Sequence, residues 1–221
     1  MASSPFMSGT ISIPAELFNP VGTPNGGVVV IAHGSDGLNE PWLTLMRQFA
    51  TEVSRSGFVA LMPNYFAATP GTLAGEAAML AIAVQLPKWQ ATVADAVTHA
   101  RTLAGGSPAR VGLLGFSLGG HICLRLRAEA RAVVSFFAPE LAGIGKSAAT
   151  PFAQIHHGLS DRINFAQAEG IAHVLNTEGT ATEVYMYPGA THGFGSGSPA
   201  DRAALEASKE RTLKFFVRRL G

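Results

Sequence analysis

The stretch Arg110-Val111-Gly112-Leu113-Leu114-Gly115-Phe116-Ser117-Leu118-Gly119-Gly120 decides how the chain is read. Its first half is a short apolar run of the kind that forms a buried strand, and His121-Ile122-Cys123-Leu124-Arg125-Leu126 continues it as a helix. Between the two lies G-x-S-x-G, the pattern of a nucleophile elbow. To reverse from strand to helix within about two residues, the serine must adopt a strained backbone with positive φ. Side chains two positions before and after it would then collide, which explains glycine at 115 and 119. Such a turn displays the Ser117 hydroxyl above a helix N-terminus, where backbone N–H groups and the helix dipole favour a developing negative charge. A serine that merely caps a helix would produce the same pentapeptide, so the remainder of the chain has to decide.

Working outward, the chain alternates strands and helices. Val28-Val29-Val30-Ile31-Ala32 is a β-branched run typical of a parallel strand buried on both faces. It ends in the loop His33-Gly34-Ser35-Asp36-Gly37. A helix is expected from about Pro41, with Met46, Phe49, Ala50 and Val53 on one stripe and Gly57 at its end. Phe58 to Met62, Ala132 to Phe137, Phe152 to His157 and Glu183 to Tyr187 read as further strands. Lys88 to Ala104, Asn164 to Asn176 and the segment from Ser198 onward read as helices, the last with an N-cap serine, Pro199 and an acidic N3 residue, Asp201. Upstream, Thr10 to Ile13 and Glu16 to Phe18, separated by Pro14, read as an edge hairpin or a bent strand. Residues 64–87 break the alternation and read as a small cap or insertion with a short helix; residues 140–150 read as a connection. The expected fold is one α/β domain spanning 1–221, a mostly parallel, doubly wound sheet with helices on both faces and a minimal cap.

Composition supports a large core with little decorated surface: 47% of the 221 residues are hydrophobic and 14% charged. Sixteen basic against fifteen acidic residues leave a net charge of +1, and no basic stripe predicts a nucleic-acid or membrane partner. The first residues lack the basic and apolar regions of a signal peptide, and no apolar run approaches the ~20 residues that span a bilayer. The single cysteine, Cys123, excludes an intrachain disulfide and reads as a small buried apolar group. A cytoplasmic monomer or homodimer is expected. Seven histidines without ligand-type pairing predict no metal site, and no cofactor is expected.

A serine hydroxyl is a weak nucleophile at neutral pH and needs an imidazole to take its proton and a carboxylate to orient that imidazole. On this fold both partners belong on loops after later strands, in chain order Ser, Asp, His. Asp161 and His192 each follow a predicted strand, and the spacings leave room for the intervening strand and helix. The alternatives fit less well: Asp36 faces the serine from the first loop, Asp95 is mid-helix, Asp201 reads as a helix N3 residue, and His33 ends a strand and braces its loop. Two backbone N–H groups, from Leu118 and Ser35, are placed to form an oxyanion hole. Tyr65, Phe66, Phe116 and Phe194, with segment 76–86, are the candidate pocket wall.

These residues also carry a resemblance. Gly115-Phe116-Ser117-Leu118-Gly119-Gly120, His157-Gly158-Leu159-Ser160-Asp161 and Tyr187-Pro188-Gly189-Ala190-Thr191-His192-Gly193-Phe194 resemble the signature blocks of the dienelactone hydrolase family of α/β-hydrolases, over roughly residue 10 to the C-terminus. The resemblance implies a minimally capped fold of about this length. Dienelactone hydrolases proper carry cysteine where this chain has Ser117 and a glutamate where it has Gly34, so it is the serine-bearing, carboxylesterase-like branch that the chain is similar to. The expectation is a serine hydrolase acting on a small-molecule ester with short-to-medium acyl, aryl or lactone groups. Alternatives are a dienelactone hydrolase proper, a peptidase or acyl-peptide hydrolase with the same triad, a perhydrolase, and a non-catalytic binding module.

Overall fold

In the computed structural model, residues 1–71, 73–103, 105, 107, 110–141, 144 and 152–221 are described. The chain begins with strands β1 (Ala2–Ser3), β2 (Phe6–Ser8), β3 (Ile11–Ile13) and β4 (Ala15–Phe18), followed by β5 (Val28–Ala32), helix α1 (Trp42–Arg55) and β6 (Val59–Pro63). Helix α2 (Gly75–Leu103) leads to β7 (Val111–Phe116), α3 (Leu118–Arg125) and β8 (Ala132–Phe136). Then come β9 (Phe152–Gly158), α4 (Phe165–Thr177), β10 (Ala181–Tyr187) and α5 (Pro199–Leu220).

Eight strands form one sheet in the order β1-β4-β6-β5-β7-β8-β9-β10. The six strands from β6 to β10 are parallel, and β4 and β1 add antiparallel at one edge. The central strands are apolar because both of their faces are covered: Val28 to Ala32 are all 0% exposed. Burying each valine or isoleucine there contributes roughly 1.5–3 kcal/mol. One core lies between the sheet and α2, α3 and α4, with Trp89, Val93, Ile122, Cys123 and Ile171 in it. The other lies under α1 and α5, with Met46, Phe49, Val53, Phe215 and Phe216. Helices thus cover both faces, as the alternating pattern predicts.

Two readings of the sequence are corrected. The residues on either side of Pro14 do not pair with each other: β3 pairs with β2 in a separate two-stranded sheet, while β4 joins the main sheet. One residue is too short to close a hairpin, so the hairpin reading fails and the chain bends at Pro14 from one sheet into the other, as the bent-strand alternative expects. The helix expected to start at Lys88 begins instead at Gly75 and runs 29 residues with Pro87 inside it. Proline removes one helical hydrogen bond and costs about 3 kcal/mol, which the burial of Trp89, Val93, Ala96, Val97 and Ala100 on the sheet offsets. Its first turns, Gly75, Glu76, Met79 and Ile82, border the cleft described below. Most of the 140–150 connection lies outside the described residues. Among the described residues no helix is long and apolar enough to cross a membrane.

Burial also shifts several histidines. His33 is lowered to about 4 by burial, against the opposing effect of its bond to the Gly34 carbonyl. His121 is lowered to about 4 by burial and by the nearby Arg125. As pH falls below the ordinary histidine range, the unfolded chain takes up these protons and the folded chain does not, so folding loses stability toward acid. Urea unfolding followed from about pH 6.5 down to 4.5 should show a loss of up to about 1.4 kcal/mol per pH unit for each of the two histidines. A flat profile over that window would contradict the burial of neutral imidazoles.

Candidate active site

β5 and β7 are neighbours in the middle of the sheet, and the chain leaves them in opposite directions, from β5 outward to β6 and from β7 outward to β8. In open α/β sheets the crevice lies at the carboxyl ends of the strands where the connections diverge. The loop after β5 and the turn after β7 therefore face each other there.

Ser117 occupies that turn at φ 51°, ψ −116°. Its N–H donates to Phe136 O at 2.8 Å and its carbonyl accepts from His121 N–H at 3.1 Å. Its side chain makes no capping hydrogen bond to α3, so helix capping does not explain the residue. The glycines are needed for close approach. A Cβ on Gly115 would fall on the Gly119 carbonyl, and one on Gly119 would fall on the carbonyl oxygens of Ala32 and His33. Glycine at 119 thus lets the start of α3 lie directly against the end of β5, and Ser35, Ser117 and Leu118 border one cleft as a result. A Cβ on Gly34 would stand 3.4 Å from that of Ser117, an ordinary contact, so the loop after β5 lies directly beside the serine without requiring glycine there.

Asp161 and His192 come together because their loops are knit to each other. Leu159 N–H donates to Tyr187 O and Ser160 N–H to Ala190 O, both at 2.9 Å, and Gly158 leaves space for the Ala190 carbonyl. Both Asp161 carboxylate oxygens lie 2.9 Å from His192 Nδ1. Ile163 N–H donates to Asp161 Oδ1 at 2.8 Å. The carboxylate is fully buried and the imidazole 15% exposed, an arrangement that places Nδ1–H on the carboxylate and leaves Nε2 for another partner. The Phe137 ring packs against the imidazole at 5.3 Å. His192 borders the same cavities as Ser117: a narrow one and a wider adjoining cleft.

Of the four expected pocket aromatics, only Phe116 borders the cavity with Ser117. Tyr65 is fully buried, stacks on His33 at 3.8 Å and donates its hydroxyl to His33 O at 2.9 Å, so it braces the loop after β5 from beneath. Phe66 lines a separate hollow with Gly37 and Leu38. Phe194 is buried against Phe137 and Tyr187 at 4.9 and 5.1 Å. Large rings bury more area in the core than at an open mouth, which is where three of the four have gone. Within segment 76–86, Glu76, Met79 and Ile82 do reach the cleft.

Sequence reasoning missed Trp42, which borders both cavities from the first residue of α1. It also missed Phe137, held at φ 47° past the end of β8, and Arg162, which lies in the cleft beside Asp161. For Arg162 a signal existed: a charged residue next to the candidate acid. Asp36 borders both cavities, facing the serine as its loop suggests. Among the described residues, no group of three or more His, Cys, Asp or Glu side chains is placed to hold a metal.

The model of the dienelactone hydrolase family matches residues 13–220. The chain belongs to this family. No curated protein matches it in sequence. Among solved structures, a dienelactone hydrolase-like promiscuous phosphotriesterase from metagenomic libraries superposes with a TM-score of 0.80 at 20% identity, covering 100% of this chain and 98% of that one. A serine hydrolase without a lid from Xanthomonas campestris gives 0.72 at 16%, covering 99% and 94%. A thermophilic esterase from Thermogutta terrifontis gives 0.69 at 16%, covering 97% and 94%. At these identities the likeness establishes the α/β-hydrolase fold, which this member of the family shares end to end.

The contact between α3 and the end of β5 can be tested directly. Gly119→Ala should destabilise the protein by about 1–3 kcal/mol through overpacking and displace the loop carrying Ser35. Thermal unfolding and a crystal structure of the variant check both effects, and a variant with wild-type stability and an unmoved Ser35 loop would contradict the steric account.

Proposed function

We propose that this chain is a serine ester hydrolase acting through an acyl-enzyme. Ser117 Oγ attacks the acyl carbon while His192 Nε2 takes its proton, and Asp161 stabilises the imidazolium through Nδ1–H. The N–H groups of Leu118 and Ser35 bind the oxyanion. His192 then returns the proton to the departing alcohol. Water repeats the sequence to release the acid and regenerate Ser117.

The observation that carries this reading is the buried Asp161 carboxylate on His192 Nδ1 at 2.9 Å, in a cleft shared with a serine at positive φ that caps nothing. A non-catalytic module has no use for that strain, which costs on the order of 1–3 kcal/mol. Serine in place of the family's cysteine, with Gly34 in place of its glutamate, favours general esters over dienelactone. The narrow cavity under Phe116 and Trp42 suits a short acyl group. The wider cleft, bordered by Met79, Ile82 and Arg162, suits the alcohol or aryl portion. The metagenomic neighbour's phosphotriesterase activity makes a phosphotriester a reasonable second substrate, since its phosphoryl oxygen would occupy the same oxyanion site.

A panel of p-nitrophenyl esters on wild type and Ser117→Ala tests the proposal. Turnover of short esters should fall about a thousandfold or more in the variant, and a loss below about tenfold would sink the mechanism. Within the panel, acetate to hexanoate should be preferred, and a preference confined to chains above about ten carbons would contradict a small acyl pocket.

A further inference from the structure

The loop that carries His192 is held from two sides. On one, the Trp42 ring lies against Gly193 and Gly195, where any Cβ would overlap it. On the other stands Asp201, the third residue of α5, 0% exposed. Its Oδ1 accepts from Thr191 N–H at 2.7 Å. Its Oδ2 accepts from Thr191 Oγ1 at 2.7 Å, from Ser196 N–H at 2.7 Å and from the Ser196 hydroxyl. Thr191 directly precedes His192, and Ser196 closes the same loop, so one carboxylate ties down both ends of the segment bearing the imidazole.

Helix capping accounts for none of these four bonds. At this end of α5 the cap is Ser198 Oγ, which accepts from Asp201 N–H at 3.1 Å and so uses only the Asp201 backbone. Burial alone would raise the carboxyl's pKa, yet the Ser196 and Thr191 donors together hold it below the ordinary carboxylate range. An ionised carboxylate with four donors is strongly directional, and it sits at the favourable end of the helix dipole.

We infer that Asp201 is a positioning residue for His192, fixing the loop so that the imidazole keeps Nδ1 on Asp161 while Nε2 faces Ser117. This rests on the reading of His192 as the base. Misplacement of a catalytic group by about 1 Å can cost about a hundredfold, so a clamp on the residue next to the imidazole matters to rate rather than to substrate binding.

Asp201→Asn keeps the size of the side chain and presents an amide N–H₂ to groups that themselves donate. With p-nitrophenyl acetate, kcat should fall about ten- to a hundredfold with KM changed by less than about twofold. The downfield NMR resonance of the proton between Asp161 and His192 should shift or broaden. Ser198→Ala, which removes only the cap, should lower the melting temperature and leave kcat, KM and that resonance as in wild type. Ser196→Ala and Thr191→Val each remove one hydroxyl donor and should lower kcat in the same direction by a smaller factor; they carry the test if Asp201→Asn does not fold. The inference is overturned if kcat and the resonance are unchanged in folded Asp201→Asn or in both hydroxyl variants, or if Ser198→Ala loses kcat equally. Undiminished turnover in Ser117→Ala would instead overturn the catalytic reading on which it rests.

Discussion

Ser117 sits at φ 51°, ψ −116°, a conformation that no ordinary side-chain residue adopts without support, and the centre of the molecule is arranged around holding it there. Its N–H is tied to β8. The glycines on either side allow the helix backbone to rest on β7 and on the end of β5 at distances no Cβ would permit. Placing the elbow strand beside β5 at the point where the sheet's connections diverge then puts a second loop backbone opposite the hydroxyl. The local strain and the global topology are one constraint seen at two scales.

From this follows the division of labour across the cleft. The side formed by β9 and β10 is knit through the backbone: two loops share hydrogen bonds and meet at the Asp161–His192 contact. The side formed by α1, α2 and the loop after β5 is built from side chains on helix ends, with one backbone bond, Gly75 N–H to Ser35 O at 2.8 Å, joining the start of α2 to that loop.

Much of this was legible in the sequence. The buried strands declare themselves because a sheet covered on both faces needs unbroken apolar runs, and the candidate triad because chain order and strand ends restrict where a base and an acid can stand. What escaped was set by tertiary context. Pro87 normally marks a helix boundary, but a well-buried stripe from Trp89 to Ala100 carries the helix through it. Tyr65 and Phe194 are aromatic and near the motif loops, yet nothing in a linear pattern distinguishes a ring that lines a cavity from one that supports it. Asp201 matches a helix N3 residue by spacing, and only the folded loop reveals that its side chain points away from the helix toward Thr191 and Ser196.

The hydrogen bond from Gly75 to Ser35 separates what the backbone fixes from what the side chains decide. The first turn of α2 is pinned by its backbone to the loop beside the serine, while the side chains of Glu76, Met79 and Ile82 on that helix border the cleft. Exchanging side chains at 76, 79 and 82 therefore changes the lining of the cleft without touching the backbone bond that holds the loop carrying Ser35.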